Sequence, residues 1–271
     1  NNNSYKNLNS KDGLGGTSAH AYGTGAVTVD TLGSTAADVL IGSSADETFN
    51  IASGSTSASS GNDTVYAGGG DDKVFFNSFN LNDMDVDGGS GINTLFVGGA
   101  SDAVTLDLTN AAVLARVQNF SGINITGRTN TVTNNILKLD WDAISRLSGT
   151  VDNSATHGVD ESKLLVVSGD AGDEVQLTNF AAWSVGTVRN ATTMSAELGS
   201  SYNFIAGHTY TAHTLAGVTL YIDDNINTTS LTASTSVYKP RSYAKTVQEL
   251  FGSSFSDPDA GHTFKGVAII S

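Results

Sequence analysis

The sequence lacks cysteine altogether and has few basic residues. Without cysteine, the chain has no disulfide, no thiolate-bound structural zinc and no thiol nucleophile. Its 13 lysines and arginines stand against 27 aspartates and glutamates, which gives a formal net charge of −14. Nucleic-acid binding needs clustered basic side chains, so this balance argues against a nucleic-acid partner. It favours either solubility through charge repulsion or carboxylates gathered around a hard cation.

Long hydrophobic runs and the common catalytic motifs are also missing. No run approaches the ~18 apolar residues that span a bilayer, and no leader pattern opens the sequence, so we expect neither a membrane span nor a signal peptide. The sequence contains no HExxH, no G-x-S-x-G and no phosphate-binding loop. His208 and His213 are predicted on opposite faces of a strand, which argues against zinc. We therefore expect a protein that is not an enzyme.

Proline is rare, and Pro240 and Pro258 are the only two. Before them, short segments rich in valine, isoleucine, threonine and leucine alternate with glycine, asparagine, aspartate and serine turns. Turn signals at intervals of about 8–12 residues are typical of an all-β module. Helices are predicted within residues 107–120, in "LDWDAISRLSG" with Asp142 as the N-cap, and over residues 242–252.

Glycine and acidic residues recur at a nine-residue step in "GNDTVYAGGGDDKVF", residues 61–75. Two nonapeptides abut at 58–66 and 67–75, and degenerate copies occur at 42–49 and 88–95. They match the template G-G-x-G-x-D-x-U-x, in which glycines form a tight turn, the sixth residue supplies carboxylate oxygens and the apolar eighth residue lies in a strand. Calcium takes 6–8 oxygen ligands, so a site would need two stacked turns.

Turns about 18 residues apart are expected to stack on one edge of such a coil. We therefore predict that turn 42–47 pairs with turn 58–63, and that turn 67–72 pairs with turn 88–93 on the other edge. The two pairs would bind about two calcium ions, each through oxygens from both of its turns. A glycine- and aspartate-rich hairpin without metal is the alternative interpretation.

The predicted metal ligands are the polar residues and glycines of these four turns. They are Gly42, Ser44, Asp46, Glu47, Ser60, Asn62, Asp63, Gly69, Asp71, Asp72, Asp87, Gly89, Gly91 and Asn93, with Asp85 as an extra candidate. Two further acidic pairs, Asp170 with Asp173 and Asp223 with Asp224, are predicted to lie in tight turns, the first of them a hairpin.

The stretch "GNDTVYAGGGDDKVF" resembles the nonapeptide array of RTX (repeats-in-toxin) proteins, which carry hemolysin-type calcium-binding repeats and leave bacteria by type I secretion. Residues 106–108, 135–142 and 167–177 are similar to patterns in the β-rich module that follows the repeats in large RTX adhesins and biofilm surface proteins. The resemblance covers roughly residues 36–226. The chain departs from it at Glu47 and Asn93, where the repeats have aspartate.

We therefore expect an all-β chain with few short helices. It would comprise an N-terminal tail and entry strand (1–35), a short parallel calcium β-roll (36–97), a β-sandwich-like module (98–235), and a linker helix with the start of a following module or an exchanged strand (236–271).

The resemblance implies a calcium-stabilised structural or adhesive segment of a large bacterial secreted or cell-surface protein, folding on calcium binding outside the cell. Its implied partners are calcium, neighbouring modules or copies of itself, and a cell-surface glycan or protein. The alternative is a self-assembling S-layer or extracellular filament subunit, joined through its end segments "NNNSYKNLNS" and "TFKGVAIIS".

Overall fold

The computed structural model describes eight stretches of the chain: residues 20–21, 28–30, 39–50, 64–76, 85–98, 103–127, 134–148 and 163–231. All of them belong to the first of two compact units, residues 1–232. The predicted helix at 242–252 and the end segments lie outside the described residues. None of the helices in these eight stretches is long and apolar enough to cross a membrane.

The described strands form three sheets, and strands named next to each other are hydrogen-bonded neighbours. The first sheet contains β1 (His20–Ala21), β3 (Val39–Ile41), β5 (Thr64–Tyr66), β7 (Asp85–Asp87) and β10 (Val117–Gln118). The second contains β15 (Ser184–Asn190), β16 (Thr209–Leu215), β17 (Val218–Asp223), β13 (Leu164–Ser168), β11 (Gly122–Asn124), β8 (Thr94–Val97), β6 (Lys73–Phe76), β4 (Thr48–Asn50) and β2 (Thr28–Asp30). The third contains β18 (Asn227–Leu231), β14 (Glu174–Thr178), β12 (Ile136–Leu139) and β9 (Thr105–Asp107).

The chain winds through these sheets as a series of coils. From β3 to β8 it alternates between the first and second sheets, and each strand pairs in parallel with the strand one coil later. From β9 onward, the third sheet adds a further parallel layer. Among the described pairings, only β15 with β16 and β16 with β17 are antiparallel. The topology is therefore strand-rich and mostly parallel.

Apolar residues in register form the core between the sheets. In the first sheet, the central residues of β3, β5 and β7 and the first residue of β10 align as one buried row, which is Leu40, Val65, Val86 and Val117. In the second sheet the corresponding row is Phe49, Val74, Leu95, Ile123, Val167 and Ile222, all buried. Because side chains alternate between the faces of a strand, one apolar residue in a three-residue strand is enough to continue the row.

The expectation of a mostly-β chain with few helices is confirmed, but the division into a roll and a sandwich is not. Pairing continues across the expected boundary at residue 98, because β8 pairs in parallel with β11 and β11 with β13. Sandwich modules are built from antiparallel sheets. Alternating apolar residues and frequent turns occur in both architectures, so those signals did not distinguish them.

Three α-helices lie within the described residues: α1 (Ala111–Leu114), α2 (Trp141–Leu147) and α3 (Ala191–Leu198). The first two were predicted, although the expected cap of α2 was wrong. Asp140, not Asp142, is the N-cap, since its carboxylate accepts a hydrogen bond from the Ala143 N–H at 2.7 Å. The third helix was not predicted, despite its Asn190 cap and the glycine that follows it.

Helix α3 and the residues after it cover the outer face of the second sheet. In β13, Leu165 and Val167 belong to the main core, whereas Leu164 and Val166 pack in a second apolar cluster. That cluster includes Met194 of α3, which is fully buried. Residues 191–204 therefore form a cover that makes β13 a two-sided buried strand, and β13 accordingly has no polar residue before its final serine.

A buried polar ladder lies where strands of the second sheet lead into the third. The Asn135 side-chain oxygen accepts a hydrogen bond from the Val104 N–H at 2.9 Å, and the Asn135 N–H in turn donates to the Asp173 carboxylate at 3.0 Å. The Asn135 amide nitrogen donates to the Ile125 carbonyl at 2.6 Å. Each ladder residue thus satisfies backbone groups of neighbouring coils that would otherwise be buried without partners.

Asp170, Asp173 and Asp224 lie between strands as predicted, but Asp223 is the last residue of β17, and the predicted hairpin is wrong. Residues 169–173 join β13 of the second sheet to β14 of the third. The turn containing Asp224 joins β17 to β18, again in different sheets. Both are corners of a coil, because the two strands that each turn joins do not pair with each other.

The apolar rows of the third sheet stop at β18. Leu106, Leu137 and Val175 align across β9, β12 and β14, and the next residue in that register is Thr228. In the neighbouring row, Leu177 is followed by Ser230. The last described strand of this sheet, β18, therefore presents hydroxyl side chains where the other three strands present leucine and valine.

Candidate functional site

Three of the predicted glycine- and acid-rich turns stack on a single edge. Turns 42–47, 67–72 and 88–93 each connect a strand of the first sheet to a strand of the second. The Gly69 N–H donates to the Ser43 carbonyl at 2.7 Å, and the Ser90 N–H donates to the Gly68 carbonyl at 2.9 Å. We call this column of three turns the acidic edge.

The predicted pairing of turn 67–72 with turn 88–93 is confirmed by these contacts, but the predicted partner of turn 42–47 is wrong. That turn stacks directly on turn 67–72, which lies 25 residues further on, and not on a turn 16 residues away. Residues 58–63, including the predicted ligands Ser60, Asn62 and Asp63, lie outside the described residues. The three described turns thus form two consecutive stacking steps on one edge.

Glycine at the fourth place of a turn permits this close stacking. Gly70 and Gly91 have φ angles of +105° and +114°, which other residues rarely adopt. A Cβ on Gly70 would lie 2.4 Å from the Ala45 carbonyl oxygen, and one on Gly91 would lie 2.0 Å from the Gly70 oxygen. Carbonyl oxygens of each turn therefore lie directly against the backbone of the next turn.

The sixth-place residues form a side-chain ladder along the acidic edge. The Asp72 Oδ1 accepts a hydrogen bond from the Glu47 N–H at 2.7 Å, and the Asn93 Oδ1 accepts one from the Asp72 N–H at 2.9 Å. Asn93 also donates its amide nitrogen to the Asn119 carbonyl at 3.1 Å. All three ladder side chains are buried, with exposed fractions of 2% or less.

Asp72 carries an unsatisfied oxygen at the centre of this ladder. Its Oδ2 is buried and has no hydrogen-bond partner. Burial raises the pKa of the Asp72 carboxyl to about 7, the Glu47 N–H bond opposes that rise, and the negative charge of Glu47 adds to it. The Glu47 carboxylate itself accepts hydrogen bonds from the Ser43 N–H and hydroxyl. Two acidic side chains therefore meet in a buried position with no basic side chain among the described partners.

The fifth-place residues form a second, more exposed ladder beside the first. Asp46 accepts a hydrogen bond from the Asp71 N–H, and Asp71 accepts one from the Ile92 N–H, both at 2.8 Å. The second oxygen of Asp71 accepts the Ser201 hydroxyl at 2.5 Å. Ser201 lies after α3, so the cover over the second sheet is hydrogen-bonded to the acidic edge.

The remaining predicted ligands frame the stack. Gly42 donates its N–H to the Tyr66 carbonyl, Ser44 is exposed at the tip of its turn, and Gly89 lies against the Gly68 carbonyl. Asp87 accepts the Gly89 N–H at 2.8 Å, so it shapes the third turn. Asp85, two residues earlier on the same strand, is exposed.

Sequence reasoning missed three residues that hold this site together. Ser43 donates hydrogen bonds to the Glu47 carboxylate, and its position within the turn is the sequence feature that could have identified it. Asn119 receives the Asn93 amide and donates to Asp87 at 2.6 Å, although its segment does not match the nonapeptide. Ser201 is 130 residues away from Asp71, and no local pattern marks it.

The donor set of the acidic edge suits a hard cation. Within the described stretches, no group of three or more histidine, cysteine, aspartate and glutamate side chains is arranged to hold a metal. Calcium ligands also include backbone carbonyls, and at Gly42 the stacked turns bring the Ala67 carbonyl oxygen and the Glu47 carboxylate close together. The unpaired Asp72 oxygen is the observation that fits a missing positive charge.

Comparison with protein-family models, with curated proteins and with solved structures gave no match in any of the three cases. The functional argument therefore rests on the geometry of the acidic edge.

Proposed function

We propose that this chain is a calcium-stabilised segment of a bacterial secreted or cell-surface protein, with a structural or adhesive role. In this proposal the described coils are a calcium β-roll of the RTX type, extended by the third sheet. The absence of cysteine and the net charge of −14 support it. Such a chain needs a stabiliser other than disulfides, and it has more carboxylates than basic side chains to pair with them.

The buried Glu47–Asp72 pair carries the proposal. A buried carboxylate is costly unless it is paired, and here one oxygen has no partner while a second acid lies beside it. A divalent cation would neutralise both groups at once. Glu47 and Asp72 would supply carboxylate oxygens, and the stacked turns would supply carbonyl oxygens.

Folding would then be coupled to calcium. When calcium is scarce, the acids of turns 42–47 and 67–72 repel one another across the stacking step, which opposes closure of the coil. Bound calcium supplies the positive charge that removes this repulsion, and its binding energy adds to the stability of the folded state. Such a chain would stay extended in the calcium-poor cytosol and fold outside the cell.

Thermal unfolding with calcium and with a chelator tests this proposal. At a calcium concentration about 100 times the Kd, binding stabilises the fold by ~2.7 kcal/mol. For a unit of about 230 residues this corresponds to a Tm increase of about 5–10 °C. We expect EGTA to lower the Tm by this amount and to reduce the β signal in circular dichroism. An unchanged melting curve would contradict the proposal, and magnesium in place of calcium is the matched control.

The self-assembly alternative has one supporting observation. Among the described strands, β15 lies at one end of the second sheet, and Val185 and Val188 on it are 67% and 59% exposed. An exposed apolar edge strand is a template for pairing with another chain. Sedimentation with and without calcium separates the two functions, because ordered assemblies favour a layer or filament subunit and a monomer favours the adhesive segment.

A further inference from the structure

We infer that the sixth-place side chains Asp72 and Asn93 of the acidic edge are completed differently: Asp72, with Glu47 beside it, takes a cation, and Asn93 needs none because its amide nitrogen donates to the Asn119 carbonyl one coil later. This inference rests on the proposed calcium function and revises the ion count expected from the sequence. It makes the choice of aspartate or asparagine at the sixth place the determinant of cation binding at each step.

The two ladder residues occupy equivalent positions. Asp72 accepts the N–H of Glu47 one coil earlier, and Asn93 accepts the N–H of Asp72 one coil earlier, with distances of 2.7 and 2.9 Å. In both cases Oδ1 is the acceptor. The Oδ2 of Asp72 therefore corresponds to the amide nitrogen of Asn93.

The corresponding atoms have opposite hydrogen-bonding character. The amide nitrogen of Asn93 donates to the Asn119 carbonyl at 3.1 Å, so both polar atoms of this side chain have partners. While both acids are ionised, the Oδ2 of Asp72 can only accept and has no donor partner, although the residue is 1% exposed. An acceptor thus stands where the sixth place of the next turn has a donor.

The first step also has more sixth-place carboxyl groups than the second. Glu47 and Asp72 place two carboxyl groups at the first step, and Asp72 and Asn93 place one at the second. The hydrogen bonds that Glu47 accepts come from Ser43 of its own turn. A cation at Asp72 would satisfy its second oxygen, as the Asn119 carbonyl satisfies the amide nitrogen of Asn93, without any change in the backbone.

This inference is tested by measuring how many calcium ions bind to the full chain and to each of two single-substitution variants. Isothermal titration with calcium should give one ion fewer for Asp72→Asn than for the unaltered chain, and one ion more for Asn93→Asp. Asp142→Asn, an exposed acid-to-amide change on α2, should leave the count unchanged. In EGTA, Asp72→Asn should melt at a higher temperature than the unaltered chain, because an amide donor replaces the unsatisfied oxygen.

The outcomes distinguish this inference from the proposed function. If the unaltered chain binds no calcium and EGTA leaves its Tm unchanged, the calcium function fails and the inference fails with it. If the unaltered chain binds calcium but Asp72→Asn keeps the same ion count, the inference alone is wrong. If Asn93→Asp does not fold, the Asp72→Asn count and its melting temperature in EGTA still decide between these outcomes.

Discussion

Replacing Asn135 by alanine is expected to destabilise the fold strongly and independently of calcium. Asn135 is fully buried, and its side chain bonds the Val104 N–H and the Ile125 carbonyl. The substitution keeps the backbone bond from Asn135 to Asp173 but leaves two buried backbone groups without these partners. Each such group costs about 1–3 kcal/mol, so we expect a loss of about 2–6 kcal/mol.

That loss is a large fraction of the ~5–15 kcal/mol that stabilises a typical domain. Urea denaturation in calcium should show it as a midpoint lowered by about 1–2 M. Asn110→Ala is the matched control, because Asn110 is exposed and only caps α1 through the Ala112 N–H. We expect that control to lose about 1 kcal/mol. If Asn135→Ala loses no more unfolding free energy than Asn110→Ala, the hydrogen bonds of the Asn135 side chain do not stabilise the coils as argued.

Two further predictions concern Asp173 and Ser201. Burial raises the pKa of Asp173 from its usual 3.8 to about 6, so its proton stabilises the fold fully below pH 3.8 and this stabilisation is lost as pH rises through 6. The unfolding free energy should therefore fall by about 3 kcal/mol between pH 4 and pH 7, and the Asp173→Asn variant should show a smaller fall. An equal fall in that variant would refute the assignment of this pH dependence to Asp173. Ser201→Ala removes the hydroxyl that binds Asp71 and should speed hydrogen exchange in α3. The control Ser145→Ala, on α2, should not change exchange in α3. Equal exchange rates in α3 of the two variants would show that the Ser201–Asp71 bond does not stabilise the cover formed by residues 191–204.

Much of the acidic edge could be predicted because its turns are local structures. A glycine at the fourth place and an acid at the sixth place specify a tight turn before a strand, and the structure places 67–72 and 88–93 in that way. Which turns become neighbours depends on the length of the return path, which the nonapeptide does not encode. The 25-residue step from turn 42–47 to turn 67–72 was therefore missed, and with it the meeting of Glu47 and Asp72.

The rest of the fold depends on non-local pairing. The apolar run "LLVVS" and the alternation in "EVQLT" indicated strands, but neither pattern tells whether the partner strand runs parallel or antiparallel. Helix α3 was missed even though Ala191, Met194 and Leu198 form an apolar stripe, because threonine and serine between them weaken the helical propensity. The Ser201–Asp71 bond joins residues that only the tertiary fold brings together.

The hydroxyl side chains of β18 limit how far the third sheet can extend. A strand added beyond β18 would find Thr228 and Ser230 in the rows where its predecessors found leucine and valine, and it would bury little apolar surface in return for being ordered. Within the described part of the chain, Thr228 and Ser230 therefore end the apolar rows of the third sheet. Exchanging both for leucine would continue those rows and would make β18 a surface on which a further strand could bury apolar area.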